Sequence, residues 1–165
     1  MVLAADQGAF TLNKFKDNIP DQFINTGVAE QNLISVAAGL ALSGFKVFAY
    51  GIIPFVTLRC YEQIKVDLCC MNLPVTIVGV GAGYAYGVDG PTHHAVHDMA
   101  LMRIMPGMEV WNPSDHSMIS ALVPWSLQNP GPKYIRLDKG AFPDLYSEGG
   151  HDFSQGASVL RRGKD

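Results

Sequence analysis

Short apolar, β-branched runs recur along the chain without an alternating polar partner: VLAA (2–5), QFIN (22–25), KVFAY (46–50), VTIVGV (75–80), MEVW (108–111) and KYIRL (133–137). Between them lie longer stretches with apolar positions at helical spacing, at 28–43, 55–71, 94–104 and 114–128. Strands that lack polar alternation are covered on both faces. The β-α order therefore predicts an α/β domain, a parallel β-sheet with helices on both faces. The helix predicted over 28–43, VAEQNLISVAAGLALS, is small-residue-rich and apolar over most of its circumference. Such a helix is buried on most faces and calls for a second protein surface.

Composition sharpens this picture. Of 165 residues, 48% are apolar and only 16% charged, which is rich for a small monomer and points to an apolar face turned toward a partner. The formal charge of −3 excludes nucleic acid as the natural ligand, because phosphate binding needs clustered Lys and Arg. The basic run Arg161-Arg162-Gly163-Lys164 reads as a solvated tail. Cys60, Cys69 and Cys70 lack disulfide-framework spacing and read as reduced thiols of a cytoplasmic protein. No charged opening precedes an apolar core and no apolar run reaches membrane-spanning length, so no membrane is expected.

Three places carry candidate chemistry. Glu30 opens the apolar helix. It is either a first-turn acid favoured by the helix dipole or a desolvated carboxyl with a raised pKa, able to keep or share a proton near neutral pH. Phe55 follows the strand over 46–50, where open α/β sheets bind ligands, and is either core or a platform for a planar group. The third is GVDGPTHHAVHD (87–98), with three of the five histidines. Gly81, Gly83, Gly87 and Gly90 let the backbone approach a ligand closely. With a helix beginning near His94, His93 sits at a helix N-terminus, which keeps its imidazole neutral, and His97 contacts the body of the domain. Zinc is the competing use of His93 and His97. It lacks the glutamate of H-E-x-x-H and needs a third ligand from Asp89, His94 or Asp98.

Taken in order and spacing, GVAEQN (27–32), PFVTLRCYEQI (54–64) and VDGPTHHAVHDMALMRIMPGMEVWNPSD (88–115) resemble the pyrimidine-binding domain of the transketolase family. That family includes deoxyxylulose phosphate synthase and split transketolase-like proteins. The resemblance implies the thiamine diphosphate-binding fold and assigns residues to it. Glu30 matches the glutamate whose carboxyl, against a ring nitrogen of the aminopyrimidine, drives the shift to its imino form. Phe55 matches the ring stacked on that pyrimidine, with Ile52 and Leu58 beside it. His93 matches a histidine near the reacting carbon, with Asp89 fixing its loop. Arg59 matches an arginine of the deoxyxylulose-type and split members, and Asp6 resembles an aspartate near the thiazolium. Under this reading His94 and His97 are structural, no metal sits on the chain, and residues 151–165 form a tail or linker, leaving a domain over 1–150.

The chain also departs from the family pattern. The G-D-G stretch and following Asn pair that hold magnesium are absent, so the resemblance implies that Mg2+ and the diphosphate are held by a partner. That partner is a second copy in a homodimer, a separate diphosphate-binding subunit, or a removed part of the same protein. At the sugar end, Gly81 stands where transketolase has a histidine, Phe10 where it has a serine and Lys139 where it has an arginine. Lysine keeps the charge but loses the bidentate fork, which implies a ketose other than an ordinary pentose or hexose phosphate. The leading expectation is a component of a ketol transferase acting on sugars or sugar phosphates, inactive alone. The alternatives are a synthase component that decarboxylates a 2-keto acid and a non-catalytic interaction module of the same fold.

Overall fold

The protein, described by a computed structural model for residues 1–6, 10–146, 153 and 163 (the side chains of Phe10 and Thr11 excepted), is built around one six-stranded sheet. Its strands are β1 (Val2–Ala4), β2 (Phe23–Asn25), β3 (Val47–Ile52), β4 (Val75–Val80), β5 (Glu109–Trp111) and β6 (Lys133–Leu137), in the spatial order β2-β1-β3-β4-β6-β5. All five pairings are parallel. Parallel strands need crossovers, and these are supplied by α1 (Phe10–Asn18), α2 (Glu30–Leu42), α3 (Ile53–Val56), α4 (Tyr61–Gln63), α5 (Asp98–Arg103) and α6 (His116–Gln128). The central strands are the most apolar because helices cover both sides. Leu3, Ala49, Val75 and Ile77 are fully buried, together with Leu33, Ile34, Ile64 and Met102 from the crossovers. The predicted α/β fold and the six strands are thus found, while residues 151–152, 154–162 and 164–165 of the expected tail lie outside the described residues, as does the side chain of Phe10.

Four helical expectations need correction. α1 was not foreseen. α2 buries a single stripe, Glu30, Leu33, Ile34, Ala37, Ala38 and Ala41, whose spacing is that of one helical face. Its other side, Gln31, Asn32, Ser35, Gly39 and Leu42, is exposed, so within this chain it is not buried on most faces. The helix expected over 55–71 is broken. α3 ends when Arg59 N–H turns back to Pro54 O (3.2 Å), and α4 runs into a π-helical segment, Ile64–Cys69, where Cys70 N–H reaches Lys65 O at 3.0 Å. The wider turn keeps Ile64, Leu68 and Cys69 all on the buried side. Finally, α5 begins at Asp98, four residues later than the expected start.

One polar contact fixes the chain beyond β6. Asp115 caps α6 by accepting from Met118 N–H (2.9 Å), and its second oxygen accepts from Leu145 N–H (2.7 Å) and Tyr146 N–H (2.9 Å). Ser117 Oγ adds a bond to Tyr146 O at 3.0 Å. The segment carrying Lys139 is therefore held between β6 and this latch. Burial alone would push the Asp115 carboxyl up, but the three backbone N–H donors outweigh it and hold it below its ordinary value of 3.8. A carboxyl lowered in the folded state stabilises the fold above 3.8 and loses that contribution as pH falls below it. We expect the denaturation midpoint of the wild type to fall more steeply below that pH than that of Asp115→Asn. In the variant, amide exchange should quicken at Leu145 and Tyr146 when followed by hydrogen–deuterium exchange.

Candidate active site

The site lies at the C-terminal ends of β1, β3 and β4, where parallel strands hand over to loops. β3 ends at Ile52, which is half-buried, and the chain turns at once into α3 with Pro54 in its first turn, a position that needs no N–H. The short helix spends its carbonyls locally: Thr57 Oγ1 donates to Ile53 O (2.6 Å) and Cys60 Sγ to Phe55 O (3.1 Å). Those bonds fix the turn that presents Phe55, half-buried, and Arg59 on the outer side. Burial, then the charge of Glu30, pushes the Cys60 thiol up to about 12, so it stays protonated and serves as packing.

Glu30 is 1% exposed. A buried carboxylate is costly unless paired, and Arg59 Nη1 donates to Oε2 at 2.6 Å. The apolar wall expected around Glu30 is therefore interrupted by a cation. Oε1 is equally buried and has no hydrogen-bond partner among the described residues. Gln63 Oε1, Asp98 Oδ1 and Ser126 Oγ are also buried without a partner among the described residues, and Glu30 differs from them in being paired with Arg59, which together with Phe55 borders the groove. The Arg59 guanidinium also lies 4.5 Å from the centroid of Phe55, over the ring face. The ring of His93 meets Phe55 edge-on, centroids 4.9 Å apart and planes at 76°.

His93 does not stand at a helix N-terminus. Ala95 forms an antiparallel bridge with Gly83, N–H to O at 2.8 and 3.0 Å, which takes the backbone groups a helix would need. His93 sits instead in the loop that this bridge closes, its N–H on Gly90 O (3.0 Å) and its Nδ1 3.0 Å from Thr92 Oγ1. The argument that a helix dipole keeps it neutral therefore lapses. His97 is exposed and lines the groove, against the expectation that it contacts the body of the domain, and His94 lines it too, edge-on to Tyr84 at 4.9 Å. The groove holds about 460 Å³ and is walled by Phe55, Leu58, Arg59, Tyr84 and Pro91 as well as these two histidines. Among the described residues, no three His, Cys, Asp or Glu side chains gather as a metal set.

The remaining sequence candidates are dispersed around this centre. Leu58 is 39% exposed on the groove wall. Asp6, with φ at +33°, exchanges hydrogen bonds with Asn25 (3.0 and 3.2 Å) at the ends of β1 and β2. Asp89 is exposed in a 3-10 turn, where its N–H, bound to Tyr86 O at 3.1 Å, helps hold the loop. Lys139 is exposed, with its ammonium 4.2 Å from the centroid of Tyr86.

Three positioning residues escaped sequence reading. Arg136 donates to Asp98 Oδ2 (2.8 Å), to Asn112 Oδ1 (3.2 Å) and to Ala95 O (3.1 Å), while Tyr134 O–H donates to the same Asp98 oxygen at 2.7 Å. Asp98 is 1% exposed. Through Ala95 this network ties the His93 loop to β6. A strand reading KYIRL hides it, because the two-sided burial that encloses Tyr134 says nothing of an acid 36 residues away.

Comparison with known proteins agrees with this geometry. Residues 3–144 match the family model for the transketolase pyrimidine-binding domain. One of the subunits of the apulose-4-phosphate transketolase of Phocaeicola vulgatus is 41% identical over 160 residues, covering 96% of this chain and 51% of the relative. The 6-deoxy-6-sulfo-D-fructose transketolase subunit SqwH of a Clostridium species is 36% identical over 167 residues, covering 100% of this chain and 52% of the relative. A solved structure described as a split-gene transketolase, inactive beta4 tetramer, superposes with a TM-score of 0.88 at 38% identity, covering 100% of this chain and 53% of that one. The chain thus spans about half the length of the curated relatives it matches.

The Arg136 network predicts an order of damage. Arg136→Met leaves Asp98 buried and without its cation and should cost about 3–5 kcal/mol, whereas Tyr134→Phe removes one hydrogen bond and should cost about 1–3 kcal/mol. Urea denaturation measures both, and amide exchange at Gly83 and Ala95 should quicken far more in Arg136→Met.

Proposed function

The chain belongs to the transketolase pyrimidine-binding domain family, and from that premise we propose that it is the pyrimidine-holding part of a thiamine diphosphate-dependent enzyme that transfers two-carbon ketol units between sugars. The observation that carries this reading is Glu30: a buried carboxyl with Oε2 bound by Arg59 and Oε1 left for an outside donor. When bound, the cofactor supplies an acidic C–H whose conjugate base adds to a ketose carbonyl. This chain does the rest. With the cofactor bound, Glu30 Oε1 would face the ring nitrogen of the aminopyrimidine and would deliver a carboxyl proton to it; the carboxylate left behind, paired with Arg59, would hold the protonated ring in the form whose exocyclic nitrogen can accept a proton. Phe55 is the floor on which the flat ring stacks, flanked by Ile52 and Leu58. Arg59 keeps the acid oriented, and His93, edge-on to Phe55, moves a proton at the oxygen of the reacting carbon. By the family resemblance Asp6 would serve the thiazolium side, and Lys139 and Asp89 the sugar.

The relatives named as subunits of transketolases support a partner subunit for this chain. A magnesium ion with its diphosphate needs several oxygen ligands, and the sequence motif for them is missing. The mouth of the site is also ringed with apolar side chains. Val28 is 75% exposed, Tyr84 69% and Val96 49%, and Val88 in the neighbouring turn is fully exposed. Such a rim is suited to a second polypeptide. We take that polypeptide to be a diphosphate-binding subunit, with homodimerisation of this chain as a further contact; the similar split-gene protein is described as inactive in its beta4 form. A cytoplasmic location is part of the same proposal; among the described residues no helix is long and apolar enough to cross a membrane.

The test is reconstitution of the full-length subunit with its diphosphate-binding partner, followed by calorimetric titration with thiamine diphosphate and magnesium. Wild-type protein should take up the cofactor and turn over. Glu30→Ala should weaken uptake and lower kcat by about 10²–10⁴, the usual worth of a positioned proton-transfer group. Uptake and turnover indifferent to that substitution would overturn the assignment.

A further inference from the structure

One aromatic at the site has no part in this chemistry. Position 81, at the end of β4, has φ at +92°, and a Cβ there would stand 2.1 Å from Tyr86 Cε2 and 2.4 Å from Cδ2. Position 81 is glycine because the ring of Tyr86 occupies the space of its side chain. The half-buried ring carries the Lys139 ammonium 4.2 Å from its centroid and lies 6.0 Å from the ring of His93, tilted by 57°. Successive contacts therefore run Glu30, Arg59, Phe55, His93, Tyr86, Lys139. The cofactor end of that row is fixed by Glu30 and Phe55, and the reacting carbon by His93. Tyr86 and Lys139 follow His93 in that row, which puts them on the side to which the untransferred part of the substrate would extend.

We propose that Tyr86 is a specificity-determining residue for the donor sugar. Its hydroxyl meets the donor's tail, and Lys139, held over the ring face, receives an anionic group at the tail's end. Burial, and then the charge of Asp89, keeps the phenol protonated, so the hydroxyl both donates and accepts, matching a sugar hydroxyl. The substrate class is a ketose whose tail is a short polyol ending in a phosphate or a sulfonate. A site built to hydrogen-bond a substrate hydroxyl discriminates more sharply than an apolar wall, which gives Tyr86 leverage over donor choice. This inference rests on the reading of the chain as a ketol-transferase component.

The experiment uses the reconstituted two-subunit enzyme and three donors: fructose 6-phosphate, 6-deoxy-6-sulfofructose, and hydroxypyruvate, whose ketol unit leaves carbon dioxide behind and has no tail. Steady-state kcat and KM are measured for wild type, Tyr86→Phe and Tyr86→Leu, with calorimetric cofactor affinity as the check on folding. Tyr86→Leu should lower the ratio of kcat/KM for the preferred ketose to that for hydroxypyruvate by about tenfold or more, mainly through KM, and Tyr86→Phe should restore part of it. The ketose that responds more strongly identifies the anion. A ratio within about twofold of wild type in both variants, whether or not overall rates fall, overturns the proposal. Should Tyr86→Leu fail the folding check, Tyr86→Phe alone decides by the same ratio. A wild-type enzyme that uses hydroxypyruvate but neither ketose overturns the Tyr86 proposal and leaves the ketol-transferase reading standing. One that binds no cofactor and uses no donor brings down both.

Discussion

Everything at this site is arranged around one buried acid. Glu30 opens α2 with 1% of its surface exposed, a burial that a lone carboxylate does not survive without a partner. Arg59 is that partner, and its position depends on the interruption of the helix after Val56. Had 55–71 run as one regular helix, the guanidinium would have followed a different face. The broken turn instead places Arg59 against both Glu30 and the ring of Phe55. The pair is asymmetric: the arginine side chain is 43% exposed while the acid is enclosed. Attraction across a partly wet guanidinium is weakened by solvent, so the arrangement is better suited to holding a carboxyl in a chosen orientation than to stabilising the fold.

The parallel sheet makes that orientation useful. Its strands end on one edge, so Glu30 after β2, Phe55 after β3 and His93 after β4 come from three separate crossovers yet face one mouth. Each crossover is fixed by local bonds. Asn25 steadies the turn before α2, Thr57 and Cys60 tie α3, and the Gly83–Ala95 bridge closes the histidine loop. Arg136 then fastens that loop to β6 from behind. The candidate groups thus stand at two helix starts and in one loop, each with its backbone groups bonded within the domain.

How much of this the chain discloses depends on the range of the interaction. Strands were legible to within a residue or two because two-sided burial demands an unbroken apolar run. Glu30, Phe55 and His93 were legible as a set through motif order. Arg59 was legible as a matched position, but its grip on Glu30 was not. The helical start near His94 was misplaced, because spacing of apolar residues cannot register a bridge made with Gly83. Asp98 was read only as a spare metal ligand, yet it is the anchor of Tyr134 and Arg136. Tyr86 left almost no trace, since an aromatic in a glycine-rich loop resembles any other surface ring. The one available signal was Gly81, a glycine directly after the apolar run of β4 and five residues before the ring.

Gly81 is joined physically to Lys139 through Tyr86. A side chain at 81 and the present pose of Tyr86 exclude each other, because a Cβ would fall inside the ring's van der Waals envelope. The bare backbone at 81 admits an aromatic from five residues downstream, and the Lys139 ammonium lies over that ring. Lysine is the better partner there, since a compact ammonium sits over one ring while its remaining donors stay free, whereas a planar guanidinium would stack flat and cover it. Positions 81 and 139 are thus coupled through one ring. The cofactor end, built on Glu30, Arg59 and Phe55, has no contact that forces it to follow.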